Sequence, residues 1–181
     1  MKKRGIFIVV FLMFILVGCD SIMNTPTKKV EQLLGMYQRE EKEVLEQLDN
    51  VLLEETLLTP DLKDRYRKLM KRQYQDLSYK VKKETIDGNL AIVEVEIEVY
   101  DYNRAIKQLD NEVLNNSGEY VDDTGNVITS KYNEDKITAM EEVRERITYT
   151  INFTVSKIAD KWVVDDLTET ERLKSHGLYA Y

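Results

Sequence analysis

The chain has 181 residues, with 26 Lys+Arg, 33 Asp+Glu, one His, one Cys and two Pro. That length fits one domain and is enough to bury a core without staples, while one Cys excludes an internal disulfide, a Cys-built zinc site and a CxxC redox pair, and one His excludes a multi-histidine metal site. Lys2, Lys3 and Arg4 are the only charged residues before Cys19, so the rest of the chain carries 23 basic against 33 acidic residues, a balance that argues against nucleic acid as a partner, because phosphate backbones reward clustered Lys and Arg.

Lys2-Lys3-Arg4 opens the chain, and twelve uninterrupted apolar residues follow from Ile6 to Val17. A helix crossing a bilayer needs about 20 apolar residues. A basic start with a run of this shorter length is instead a secretory signal. Leu16-Val17-Gly18-Cys19 closes the run and resembles the bacterial lipobox, whose Cys is diacylated on sulfur with palmitate-type chains before cleavage ahead of it. The resemblance implies residues 1–18 as a lipoprotein signal peptide and Cys19 as the lipidated first residue of the mature chain. It also implies anchorage at the outer face of the cytoplasmic membrane, since two acyl chains hold a protein stably on a bilayer. The competing reading is a plain signal peptide or uncleaved anchor with the Cys there by chance. Asp20 to Thr25 reads as a short polar tether, so that residues 26–181 form the single domain.

Thr25-Pro26 is a helix start, with Thr at the cap and Pro at the first helical position. Val30, Leu33, Leu34 and Tyr37, then Val44, Leu45, Leu48, Val51 and Leu52, keep helical spacing. The polar stretch from Gln38 to Glu43 breaks the stripe and predicts two helices with a bend, the alternative being one long helix. Thr59-Pro60 repeats the start signal, and Leu62, Tyr66, Leu69, Met70 and Gln73 share the next apolar face. Lys63, Arg65, Arg67, Lys68, Lys71 and Arg72 crowd the rest of that helix. Such a stripe either lies on anionic lipid or pairs with the acidic helix before it; the second is the simpler expectation.

Leu77, Tyr79 and Val81 alternate with Ser78, Lys80 and Lys82. Beyond Asp87-Gly88-Asn89, residues Ala91 to Val99 alternate with Glu94, Glu96 and Glu98, which predicts a β-hairpin with one buried face. A three-residue loop, Asp87 to Asn89, pairs Val81 with Val95, Tyr79 with Ile97, Lys80 with Glu96 and Lys82 with Glu94. A two-residue Asp-Gly loop would set inward against outward faces, so charge and burial select the longer loop. Asn103 to Asn116 is expected to be helical, and Asn115 to Ser130 to be a polar loop. Asn133 is expected to cap a further helix, with Tyr132 stapled onto Ile137. Ile147 to Val155 alternates as a long strand, Ala159-Asp160 turns the chain, and Lys161 to Leu167 returns. Thr168 with Glu171 forms a capping box for a last short helix.

Helices grouped first and antiparallel strands after make an α+β domain, with N-terminal helices packed on a twisted sheet of two hairpins that a helical insertion separates. This order, with the late strand Lys161-Trp162-Val163 and the pattern Thr25-Pro26-Thr27, Val30, Tyr37 and Val44-Leu45, resembles the NTF2-like (cystatin-like) fold as found in uncharacterised bacterial lipoproteins, best known from Firmicutes. The inserted helices depart from the minimal plan of that fold. The resemblance implies no single activity, because the fold serves enzymes and binding modules alike.

Candidate chemistry is sparse. No His, Cys or Gly-rich grouping has a catalytic pattern, and no metal site or cofactor is expected. His176 sits near the terminus and is expected on the surface. Asp122-Asp123-Thr124-Gly125-Asn126 lacks the ligand spacing of an EF-hand and reads as a turn. Tyr66, Tyr74, Tyr79 and Tyr149 fall on or near inward positions; with Asp165 or Asp166 they are candidates to line a cavity, as the tyrosine and aspartate of NTF2-like proton-transfer enzymes do. The simpler alternative is a core of hydrogen-bonded tyrosines. The leading expectation is a non-catalytic cell-envelope lipoprotein, a binding or accessory module whose partner is an envelope protein or a small ligand; the rival is a small-ligand binder or proton-transfer enzyme that uses the cavity between helices and sheet. Leu178, Tyr179 and Tyr181 are too apolar for water and are expected to fold back onto the domain.

Overall fold

The computed structural model describes residues 24–181; Leu16, Val17, Gly18 and Cys19 lie outside the described residues. Thr25 caps helix α1 (Pro26–Gln38) by accepting from Lys28 N at 3.2 Å. The chain bends where the polar stretch predicts, with Glu40 at φ 50°, and resumes as α2 (Lys42–Glu54). Helix α3 (Pro60–Asp76) starts on the Thr59 cap. Strands β1 (Ser78–Asp87) and β2 (Leu90–Tyr100) form the hairpin. Helices α4 (Tyr102–Asn115) and α5 (Thr129–Glu142) follow, then β3 (Arg146–Ile158), β4 (Lys161–Val164) and α6 (Glu169–Ser175) with its capping box.

The four strands make one antiparallel sheet in the order β1-β2-β3-β4. Together with the helices this gives an α+β domain. Its inner face buries Val93, Val95, Ile97, Val99, Ile151, Phe153 and Val155, and α1 lays Val30 and Leu34 directly upon them. A second apolar cluster joins α2, α3, α4 and α5 around Leu48, Leu69, Met70, Tyr102 and Met140. The outer face of the sheet carries Glu94, Glu96 and Glu98 beside Asn152, Thr150 and Thr148.

Three of the four expected hairpin pairs form. Tyr79 pairs with Ile97, Lys80 with Glu96 and Val81 with Val95, but Lys83, not Lys82, faces Glu94. A bulge between Val81 and Lys83 absorbs one residue, and the loop shortens to Gly88-Asn89 with Gly88 at φ 59°, as a two-residue hairpin turn with glycine first requires. Lys82 keeps an ion pair, to Glu96 at 3.0 Å. The bulge also reverses the alternation beyond it, because the side-chain period is two. Glu84 thereby turns to the helix side, where its carboxylate accepts from Thr27 N at 2.9 Å and Thr27 Oγ1 at 2.7 Å, a stabilising place for an anion at a helix N-terminus.

Helix α5 starts four residues before Asn133, and Asn133 is not its cap: its amide donates to Leu57 O at 3.1 Å. Tyr132 turns to Asp110 Oδ1, at 2.7 Å. The stripe on α3 is mostly spent on protein. Arg67 pairs with Asp49 and Lys71 with Glu40 in the preceding segment, as expected, while Arg65 pairs with Glu141 on α5. Arg72 donates to Glu141 O and Val143 O and lies 4.0 Å over the Tyr100 ring. Among the described residues, no helix is long and apolar enough to cross a membrane.

Candidate functional site

A cavity of about 710 Å³ opens where the three N-terminal helices meet the chain leaving the sheet. Helix α1 supplies Leu33 and Tyr37, α2 supplies Val44, Leu48 and Val51, and α3 supplies Tyr66, Met70 and Tyr74. The opposite wall is the β4–α6 connection, Val164 to Leu167, with Arg172 and His176 from the last helix. The bend at Glu40 creates the space, because it swings α2 away from the sheet while α1 stays on it.

Four of the expected lining residues, Tyr66, Tyr74, Asp165 and Asp166, meet at this cavity. The other two do not. Tyr79 packs on the sheet core beside α1, and Tyr149 is buried under the C-terminal tail, its hydroxyl donating to Tyr179 O at 3.3 Å. The expectation put the hollow between helices and sheet. Val30 and Leu34 of α1 fill that space, which leaves the hollow beside the sheet instead.

Tyr74 is the centre of the aromatic wall. Its ring meets Tyr37 edge-on at 5.0 Å between centroids, and its hydroxyl shares a hydrogen bond with His176 Nε2 at 3.2 Å. His176 is therefore not the surface residue its place near the terminus suggests. Burial pushes its pKa down to about 4, and the Arg172 charge adds to that. Burial pushes the hydroxyls of Tyr74 and Tyr66 up, and Tyr37 rises for the same reason against the opposing pull of Arg172. At neutral pH the wall thus presents uncharged imidazole and intact hydroxyls: groups that donate and accept hydrogen bonds without carrying charge.

Asp165 is held to the sheet, its Oδ2 accepting from Ser156 Oγ at 3.0 Å and its backbone N donating to Thr154 O. Asp166 is exposed at the rim. Among the described residues neither carboxylate is hydrogen bonded to Tyr66 or Tyr74, so the tyrosine–aspartate pair shares a cavity but not a contact. Tyr37, Arg172 and His176 are lining residues that sequence reasoning missed. Tyr37 had a signal, its place on the α1 stripe; the other two depend on where α6 docks.

A second hollow of about 500 Å³ lies between α4 and α5 and is mainly acidic, with Asp101, Glu112, Asp135, Glu142 and Glu145 facing Arg104. Two of its carboxylates are already engaged. Asp101 caps α4 through Arg104 N and accepts from the Tyr181 hydroxyl, and Asp135 holds Lys131 and Tyr120. Asp122 closes its turn by accepting from Thr124 N, Thr124 Oγ1 and Asn126 N, an ordinary Asx arrangement.

No protein family, curated protein or solved structure matches this chain.

Proposed function

We propose that this chain is a non-catalytic binding module of the bacterial cell envelope, tethered to the outer face of the cytoplasmic membrane through lipid on Cys19, and that the small molecule it binds occupies the cavity walled by Tyr37, Tyr66 and Tyr74. The observation that carries the binding reading is the cavity itself. Its volume falls in the range of small-ligand pockets, and its wall combines apolar and aromatic surface with a few convergent polar groups. The occupant that fits is amphipathic, with an apolar or aromatic body against Leu48, Met70 and the tyrosines and a polar end toward Arg172, Asp165 and Asp166.

The tether rests on the lipobox resemblance. The NTF2-like reading of the architecture rests on three leading helices set against an antiparallel sheet with a hollow beside them. Proton transfer is the second reading, supported by Tyr66, Tyr74, Asp165 and Asp166 lining one cavity. It requires a ligand to bridge groups that do not touch.

Val51 is exposed and lines the cavity mouth, so Val51→Trp blocks entry without disturbing the core. Titration with the aromatic amphiphile 1-anilinonaphthalene-8-sulfonate is expected to give saturable one-site fluorescence enhancement with the native chain and at least several-fold weaker enhancement with V51W. Equal enhancement by both proteins would remove the cavity from the account.

A further inference from the structure

The β1–β2 and β3–β4 turns sit at the same end of the sheet, since Leu90 pairs with Ser156 and Lys157 N donates to Asn89 O at 2.7 Å. The first described residue is fastened to that same end: Asn24 donates to Asp160 O at 2.9 Å and accepts from Trp162 N at 2.9 Å. Five of the large apolar side chains left exposed among the described residues also gather at this end. Leu90, Ile92, Ile158 and Val163 lie together on the outer face, by the pairings of Leu90 with Ser156, Ile92 with Thr154, Ser156 with Val163 and Ile158 with Lys161. They are between 36% and 61% exposed, and Ile86 at the same tip is 51% exposed. Farther along, the same face turns to Glu94, Glu96, Glu98, Thr148 and Thr150. An exposed apolar cluster confined to one end of a polar face marks a contact surface.

We infer that this end of the sheet is a membrane-contacting surface, whose apolar tips rest in the interfacial layer of the bilayer that holds the tether. The inference rests on the lipid-anchor reading of Cys19. Asn24 lies five positions along the chain from Cys19, and five residues span at most about 18 Å, so the sheet end that holds Asn24 stays within about that distance of the acylated residue. Charge does not drive the contact, because Lys83, Lys157 and Lys161 at this end are offset in number by Glu84, Asp87 and Asp160, and Lys157 pairs with Asp160 at 3.6 Å. Apolar burial does, so the contact is insensitive to salt. A consequence is a fixed orientation, with β2 and β3 rising from the bilayer and the far end of the sheet held in water.

With Cys19 acylated, a thiol introduced by Leu90→Cys or Val163→Cys is the only free one and takes an environment-sensitive fluorophore. Thr148→Cys, about 27 Å along the same face from the Leu90 row, is the control. The full chain is reconstituted into vesicles of phosphatidylcholine and phosphatidylglycerol. The expected result is a blue shift and several-fold protection from an aqueous quencher at positions 90 and 163 and none at 148, unchanged in high salt. Equal quenching at all three positions on protein that floats with the vesicles would overturn the contact surface and leave the tether standing. Protein that does not float, or whose Cys19 takes the label, would remove the tether and the inference with it. Protection at position 90 before vesicles are added would assign the face to a second copy of the chain and overturn the inference likewise.

Discussion

His176 is uncharged at neutral pH because its half-buried ring packs on Tyr74 and feels the Arg172 charge. Its pKa is lowered on folding, from the ordinary 6.5 to about 4. Between those values the unfolded chain binds the proton that the folded chain refuses. The stability this group contributes is therefore complete above pH 6.5 and is lost as pH falls toward 4. The chain has one His, so His176→Gln isolates the effect: the urea midpoint of the native protein is expected to fall between pH 7.5 and 5, and that of H176Q to fall clearly less. Gly177, next along, is at φ 69°, and a Cβ there would land on Tyr100 O. Gly177→Ala is accordingly expected to cost about 2 kcal/mol or more, measured by urea unfolding. Neither role was legible in the sequence. Tyr74 and His176 are 102 positions apart, and nothing local to either announces the other.

At the scale of elements, legibility followed the range of the forces involved. The α1, α3 and α6 caps and the break between α1 and α2 are local chemistry, and Thr25, Thr59, Thr168 and Glu171 act where the sequence places them. Thr168→Ala is expected to cost about 1 kcal/mol, read as a lower thermal midpoint. The strand alternation was equally legible, because one buried face enforces a period of two. The bulge at Lys82–Lys83 was not. It keeps Tyr79 and Val81 on the core, allows a two-residue glycine turn and delivers Glu84 to the N-terminus of α1, and the last of these is a contact between distant segments. Asn133 failed as a cap for a related reason: α5 starts from Ile128 without a side-chain cap, and packing of Ile137 and Met140 in the helical cluster sustains it.

For the molecule as a whole, two apolar clusters share the α1–α3 corner, and the C-terminal tail ties both to the end of β2. Gly177 O accepts from Asn103 N, Tyr179 packs edge-on to Tyr149 at 5.9 Å, and the Tyr181 hydroxyl donates to Asp101 at 2.9 Å. The tail thus folds back as its apolar residues predict, and truncation after Ser175 is expected to lower the melting temperature by at least about 4 °C. The cavity was half legible. Tyr66, Tyr74, Asp165 and Asp166 were traceable, but its location depends on how far α2 diverges from α1, which side-chain periodicity does not encode. Intact mass spectrometry of the full-length protein, extracted from its membrane under non-denaturing conditions, reads the proposed lipid tether and the proposed ligand in the hollow together. The expected native species is a 163-residue chain beginning at Cys19, heavier by a diacylglyceryl group, with a non-covalent small-molecule adduct that V51W lacks. An unprocessed or unacylated chain, or a native protein that carries no more adduct than V51W, would overturn the tether and the ligand reading respectively.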